Sequence, residues 1–523
     1  MYSVITTATV RAMDVRFVCV EADVSDGMPY FEMVGFLSSE VKEAKERVRT
    51  AMKNSGCALP PRRITVNLSP VNLRKVGNIY DLPVAIAIMT SMEIVRARDL
   101  EDFIVVGEIG LDGQVRRADG ILPIVCAAAE AGIKECIVPA ANMREAMNVG
   151  GVRIVGVSSV TEARDYLNSS REKRDEWIRK TMVKMPEAAA ESHSGEQCAG
   201  QPDFADIHGQ YMVKRACEVA VAGMHNFLMI GPPGSGKTMI ASRIPGILPL
   251  PDFSERMEIS KIYSIAGELG SDEGLIVNRP FRSPHHTISV QGMVGGGAIP
   301  KPGEITMSHG GVLFLDELPE FKKCVLETLR QPLEDRRVSI VRATGRFEYP
   351  ADFMLVCAMN PCSCGYYPDR NRCNCSVAQV SAYLRKISRP LLDRIDISVE
   401  APRVTYKDLE GKGPAGETSA RIRERVTAAQ AIQKERYKDM GIRFNSQLTG
   451  MNVERMCGLD EAKKRHMSEI FEKMNLTARG YYKILKVART IADLDGREKV
   501  ELDDLNEAVM YKGIDEKFFG EVV

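Results

Sequence analysis

No stretch of this 523-residue chain runs to 18 consecutive apolar residues, which predicts no membrane-spanning helix. Neither sign of charge is in excess. The 70 Lys and Arg balance 70 Asp and Glu, so no global field steers a polyanion, and any nucleic-acid surface must be a local patch or channel. The opening residues Met1–Thr6 lack a basic segment ahead of an apolar core, which predicts no secretory leader. Internal repeats and long low-complexity tracts are absent, and tryptophan occurs once, at Trp177. The cysteine count, 13, is odd, so reduced thiols in the cytoplasm are expected rather than a disulfide framework. Apolar content of 44% and charged content of 27% are those of an ordinary globular protein, and the length predicts about three domains rather than one core.

What the chain does have is Gly231-Pro232-Pro233-Gly234-Ser235-Gly236-Lys237-Thr238, in the spacing G-x-x-x-x-G-K-[ST]. Phe227–Ile230 before it reads as a buried parallel strand, and Met239 to Ile244 after it as a helix that Pro245 ends. A loop of this kind turns its backbone N–H groups toward an anion at a helix N-terminus. Lys237 is placed to reach the outer phosphates of ATP and Thr238 to ligate Mg²⁺. Downstream, Gly310–Leu315 reads as a second buried strand that delivers Asp316 and Glu317 at its end. Asp316 suits the Mg²⁺ shell and Glu317 the attacking water.

Residues 1–170 read as an α+β or α/β domain. Phe17–Glu21 and Arg63–Leu68 alternate as strands, and Ser39 to Asn54 has a helical apolar period with Ser39 as its expected N-cap. Val106–Arg116 and Ala131–Pro139 resemble the proteolytic domain of Lon-type proteases, which implies a ribosomal S5 domain 2-like fold. That family uses a Ser–Lys dyad, and the alignment puts Val84 and Leu122 at those two positions. Neither can be a nucleophile or its base, so a Lon-like fold without peptidase chemistry is expected.

Residues 171–203 begin with Arg171–Glu176 and continue into an Ala-, Ser-, Gly- and Glu-rich stretch, predicting a mobile linker that contains Trp177. Residues 204–401 then resemble the α/β core of AAA+ ATPases. The resemblance implies that Ile207, His208 and Gly209 contact the base, with a ligand-free turn as the alternative. It also implies that Asn360, after the apolar run Phe353–Met359, orients the lytic water. Pro390–Ile397 resembles the arginine-finger segment of magnesium chelatase motors and MCM helicases, so Arg394 is expected to serve a neighbouring subunit in a ring. An intramolecular salt bridge is the alternative for Arg394.

Within this core, residues 362–375 carry Cys362, Cys364, Cys373 and Cys375, two C-x-C pairs that can present four thiolates to one Zn²⁺. Four reduced, unliganded thiols are the alternative. A zinc-stapled loop is expected to display Arg370 and Arg372. Arg337 to Tyr349 reads as a β-hairpin with a Thr344-Gly345 tip flanked by Arg342 and Arg346, and Arg279 to Pro302 as a second insertion. Arg342, Arg346, Arg370 and Arg372 are the candidate phosphate contacts for DNA, although solvated arginines are as common. His285-His286 has no clear role.

Residues 402–523 read as a helical lid, with Ile422, Val426, Ala429 and Ile432 on one buried face. Thr477–Tyr482 resembles the sensor-2 segment of the same AAA+ branch, implying that Arg479 reaches the γ-phosphate from the lid. Taken in order, with Gly35–Ser39, Val41–Val48 and Leu391–Asp396, these segments resemble the YifB/ComM family of magnesium-chelatase-like AAA+ proteins over essentially the whole chain. The resemblance implies a cytoplasmic, hexameric ATPase ring acting on single-stranded or branched DNA. It implies helicase-driven branch migration in natural transformation, alongside recombination proteins. A chelatase-type or protein-remodelling ATPase working through a protein partner is the alternative.

Overall fold

Strands β1 (Tyr2–Arg11) and β2 (Asp14–Ser25) pair antiparallel from Tyr2↔Asp23 to Arg11↔Asp14, and the alternation Val18, Val20, Ala22, Val24 sets their buried face. The computed structural model in which they lie describes residues 2–96, 99–183, 202–270, 274–297, 300–342, 345–404 and 416–520. Further strands follow as β3 (Tyr30–Val34), β4 (Arg63–Ser69), β5 (Phe103–Val105), β6 (Glu108–Ile109), β7 (Val115–Arg116), β8 (Glu135–Pro139) and β9 (Arg153–Val157). Seven of them form one mixed sheet in the order β3-β4-β2-β1-β5-β8-β9, while β6 and β7 pair separately.

Helix Asp81–Ser91 packs on β1 and β2 and is apolar on every side, so it is buried on every side. Val84 lies in this helix and Leu122 opens the buried side of helix Ile121–Glu130; both are fully buried. Helix Ser39–Asn54 buries Val41, Ala44, Val48, Ala51 and Met52 as its period requires. Its N-cap is Ser38, not Ser39: the Ser38 hydroxyl accepts the Val41 N–H from an extended backbone, and Ser39 is already helical.

The expected linker begins too early. Arg171–Val183 is a helix, and Trp177 packs edge-on against Tyr166 of the first domain's core. Arg174 is buried there, bonded to Asp99 and to the Leu167 carbonyl and stacked over Phe103. The Ala/Ser/Gly-rich remainder of the linker, residues 184–201, lies outside the described residues.

The second sheet comprises β10 (Phe227–Ile230), β11 (Phe281–Arg282), β14 (Val312–Leu315), β17 (Met354–Met359) and β18 (Ile397–Glu400), with the paired short strands β12 (Gly295–Gly296) and β13 (Lys301–Pro302) beside it. A hairpin of β15 (Arg337–Arg342) and β16 (Gly345–Pro350) precedes β17. The order is β11-β14-β17-β10-β18, all parallel. The strands alternate between two cores. Phe227, Met229, Val312, Phe314, Val356 and Ile397 face helix Tyr211–Gly223 and the C-terminal helices, whereas Leu228, Ile230, Leu313, Leu355 and Met359 face the hairpin and the cysteine loop.

Among the described residues five helices follow, including Ser419–Arg436, Ala478–Leu494 and Leu502–Phe519, and they share the first of these cores. Ile422, Val426 and Ala429 are buried as expected; Ile432 is exposed, because the buried stripe of its helix continues through Gln433 instead. The turn-rich residues 412–415 lie outside the described residues, as do Ala343 and Thr344 at the hairpin tip.

The two sheets are joined by direct contacts. Helix Ile121–Glu130 packs on helix Phe253–Ala266, and the Gly120 and Leu122 N–H groups donate to Ser264 O and Oγ. At the β1–β2 turn, Ala12 adopts positive φ and buries against the hairpin's cluster, and Arg11 stacks on Phe347 of β16, 5.2 Å from its centroid. Among the described residues no helix is long and apolar enough to cross a membrane.

Candidate active site

Three parallel strands end side by side, and each hands over its loop at the same edge of the sheet. From β10 comes Gly231–Thr238, from β14 come Asp316 and Glu317, and from β17 comes Asn360. Gly231 has to be glycine: a Cβ there would lie 2.2 Å from the Ala401 carbonyl oxygen. Gly234 and Gly236 take positive φ, and Gly236 leads into helix Lys237–Ala241, which contains Met239. That helix stops at Ser242. Pro245 does not end it, but sits in the first turn of a separate short helix, Ile244–Ile247, where a missing N–H costs nothing.

The Lys237 ammonium donates to the carbonyls of Gly231 (2.8 Å) and Pro232 (2.9 Å) and to Asn360 Oδ1 (3.2 Å), with Ser235 Oγ at 3.4 Å. Burial lowers its pKa, and the charges of Asp316 and Glu317 act against that. Thr238 Oγ1 donates to Asp316 Oδ2 at 2.6 Å. A hydroxyl and a carboxylate held together are the hard-oxygen donor set that Mg²⁺ takes, so Thr238 and Asp316 fit that ion. The loop, its lysine and this pair have the donors that a polyphosphate cradle requires.

Glu317 projects from a backbone at φ 52°, a left-handed conformation that is costly for a glutamate and recurs at functional positions. His286 Nδ1 lies 3.5 Å from Glu317 Oε2, and its ring stacks on His285 with centroids 4.1 Å apart. This gives the His285-His286 pair a location that its sequence did not suggest. On the other flank, Ile207 is buried with its carbonyl accepting from Lys214, and His208 and Gly209 lead to Gln210. Gln210 Nε2 donates to Ser235 O and Pro402 O, tying this segment to the phosphate loop. Gln210 was missed because a lone glutamine before a helix carries no motif.

Arg394 and Arg479 lie elsewhere. Arg394 precedes β18, and its carbonyl accepts from Asn226, the residue before β10; both mark the N-terminal edge of the parallel sheet. The phosphate loop leaves the opposite edge, about 16 Å away over the five strand steps from Asn226 to Gly231. One carboxylate holds both guanidinium groups: Glu334 Oε1 is 2.6 Å from Arg394 Nη2 and 3.0 Å from Arg479 Nη2. They line a cavity of about 570 Å³ with Asn226, Asp352, Asp396 and Lys483. Arg394 therefore does make the intramolecular salt bridge that its sequence left open, and Arg479 does not approach the phosphate loop of its own chain. The C-terminal helices dock with this segment beside Glu334, which spacing alone could not reveal.

Of the four arginines considered for DNA, Arg342 is exposed near the hairpin tip and donates to the neighbouring Val341 carbonyl. Arg346 is exposed but paired with Glu348 at 2.6 Å and bonded to Ser339. Arg372 is exposed over Tyr366. Arg370 is exposed as well, with its guanidinium donating to the Cys375 carbonyl (2.7 Å) and lying over Tyr367. The four cysteines do converge, with Cys362, Cys364, Cys373 and Cys375 Sγ atoms all within 4.8 Å of one another.

Family models match most of the chain. "Subunit ChlI of Mg-chelatase" covers residues 20–142, "Magnesium chelatase, subunit ChlI" residues 203–409, and "Magnesium chelatase, subunit ChlI C-terminal" residues 416–512. Competence protein ComM of Haemophilus influenzae is 40% identical over 498 residues, 95% of this chain and 94% of that protein. The uncharacterized protein YifB of Escherichia coli is 37% identical over 513 residues, 98% and 97% of the two chains. Lon protease 2 of Bacillus subtilis is 33% identical over 146 residues, 26% of each.

Proposed function

The chain belongs to the ComM/YifB family of magnesium-chelatase-like AAA+ proteins, and from that premise we propose that it is an ATP-hydrolysing ring motor acting on DNA, driving branch migration in recombination during natural transformation. The observation that carries the ring is the division of the catalytic groups between two edges of one sheet. Lys237, Thr238, Asp316, Glu317 and Asn360 stand at one edge, and Arg394 with Arg479 at the other. A second copy set edge to edge brings one copy's arginines to the other's phosphate cradle, and repetition of that heterologous contact closes a ring, taken here as a hexamer.

Bound ATP supplies the phosphoanhydride to be cleaved, and Mg²⁺ neutralises charge on its oxygens. Lys237 holds the outer phosphates, Thr238 and Asp316 hold the metal, Glu317 takes a proton from water, and Asn360 orients that water. Ile207, His208 and Gly209 flank the base. The four-cysteine group takes a structural Zn²⁺. DNA is gripped at the hairpin through Arg342 and, once released from Glu348, Arg346, with Arg372 beside the cysteine loop. A protein partner in place of DNA is the second reading, favoured by the engagement of Arg346 and Arg370 within the chain itself.

The test is steady-state ATP hydrolysis with and without single-stranded and branched DNA, using Glu317→Gln as the blank. Stimulation by DNA that disappears in the Arg342→Ala, Arg346→Ala double variant is the expected result. Turnover that ignores DNA yet responds to a protein would reject the DNA reading.

A further inference from the structure

The cysteine loop does more than close on itself; it leans on the phosphate cradle. Cys362 lies two residues beyond Asn360, whose amide oxygen accepts from Lys237. Gly365, directly after Cys364, has φ 86°, and a Cβ there would lie 2.5 Å from Pro233 Cδ and 2.7 Å from Pro233 Cγ. Pro233 is part of the phosphate loop itself. Cys375 immediately precedes Ser376, the N-cap of helix Val377–Leu384, whose Tyr383 and Leu384 join the same apolar cluster as Leu391 and Leu392. The four sulfurs thus tie together the end of β17, a plug against the phosphate loop, and the helix that leads toward the arginine segment.

Zn–S bonds of about 2.3 Å in a tetrahedron put the sulfurs about 3.8 Å apart. Here Cys362 lies 3.3 Å from Cys364 and 3.8 Å from Cys373, and Cys364 lies 3.6 Å from Cys373. A disulfide needs about 2.05 Å, so none is formed. Cys362, Cys373 and Cys375 are buried. Donors that orient ligating sulfurs are also present: the Tyr367 N–H points to Cys362 Sγ at 3.4 Å, and Ser363 Oγ lies 3.5 Å from Cys375 Sγ. Among the described residues no other group of three or more His, Cys, Asp or Glu gathers its ligand atoms this closely. Four protein thiolates leave no open position for a substrate. Neutral thiols are weak donors and weak acceptors, and cannot hold the loop shut in the metal's place.

We propose that zinc in this four-thiolate site braces the phosphate loop through the contact of Gly365 with Pro233, so that metal occupancy sets nucleotide affinity and turnover. The inference rests on the zinc assignment made above. It assigns Gly365 and the four cysteines as positioning residues; none of them touches the reacting atoms.

Two perturbations test it on the full chain. In the first, zinc is counted by elemental analysis on fresh protein and then stripped with a zinc-selective chelator in excess Mg²⁺. Circular dichroism, binding of a fluorescent ATP analogue and turnover are read in parallel. In the second, Gly365→Ala keeps all four thiols and crowds Pro233. The expected results are one zinc per chain in both proteins and, in the stripped and the Gly365→Ala proteins alike, analogue binding weaker by several-fold and turnover lower by at least tenfold, with helical content kept. No zinc on fresh protein overturns the zinc assignment and the brace with it. Zinc present, but stripped folded protein within twofold of normal, overturns the brace alone. So does Gly365→Ala with zinc bound and normal affinity and turnover, and that arm decides the matter if the stripped protein unfolds.

Discussion

If Arg394 serves the neighbouring chain's nucleotide, two dead subunits can make a live interface. Arg394→Ala leaves a chain with an intact cradle and no arginine to lend; Glu317→Gln leaves one with the arginine and no water-activating carboxylate. Each variant alone is expected to lose nearly all turnover, since an arginine supplied in trans is worth about 10³–10⁵ in rate. In an equimolar mixture, an interface works when the cradle comes from Arg394→Ala and the arginine from Glu317→Gln. Random assembly makes that about one interface in four for any ring size, because each heterologous contact involves one cradle and one arginine. The mixture should therefore recover about a quarter of wild-type turnover, at least about twenty times the sum of its parts given the losses of about 10³ and 10² at the low end for the two variants. A chain that used its own arginine would gain nothing, because every chain in the mixture carries one defect. The geometry is the basis for excluding that case: β10 separates Asn226, bonded to Arg394, from Gly231 by about 16 Å of strand, more than an arginine side chain spans. The assay is coupled ATP hydrolysis on mixed, reassembled protein, with differently tagged chains pulled down together to prove co-assembly. Co-assembled mixtures with no more activity than their components would refute the trans arrangement.

Three further outcomes follow from single contacts. Glu317→Gln should bind ATP normally and turn it over about 10²–10⁴ times more slowly, the range for loss of a general base; undiminished single-turnover rates would remove Glu317 from that role. Gly231→Ala forces a methyl against the Ala401 carbonyl, at a cost of about 1–3 kcal/mol, and a calorimetric melting temperature equal to wild type would contradict that clash. Burial pushes Asp396 up, but the hydrogen bond and charge of His225, with Lys483 and Lys486 nearby, outweigh it and hold the carboxyl down at about 2. A folded pKa below the ordinary 3.8 stabilises the fold above about pH 4, and that stability is lost as pH falls through about 2; the shift corresponds to about 2 kcal/mol. The stability gap between wild type and Asp396→Asn in urea should accordingly narrow from pH 7 to pH 2, and a pH-independent gap would show that Asp396 does not carry it.

Much of the ATPase core was legible because fully buried parallel strands read as unbroken apolar runs and the loops after them carry residues with few alternatives. The Gly231–Thr238 spacing, the Asp316-Glu317 pair after Val312–Leu315 and Asn360 after Met354–Met359 are of this kind. Arg171–Val183 misled for a physical reason: its charged residues suggest a solvated segment, yet Arg174 lays its stem and guanidinium over Phe103 and Tyr166 and is buried. Arg479 illustrates a different limit. Its motif fixes a helix start, but what its side chain can reach depends on how the C-terminal helices dock, and docking is a property of surfaces far apart in sequence. Glu334, shared by the two arginines, carries no local signal at all.

The stack of Arg11 on Phe347 and the insertion of Ala12 into the hairpin's apolar cluster have a mechanical consequence. A loop that reaches into a pore is usually pictured as a light paddle. Here the hairpin is harnessed at its side to the turn of a seven-stranded sheet. Under the proposed motor, a stroke of the hairpin would have to tear that stack open or carry the first domain along as cargo.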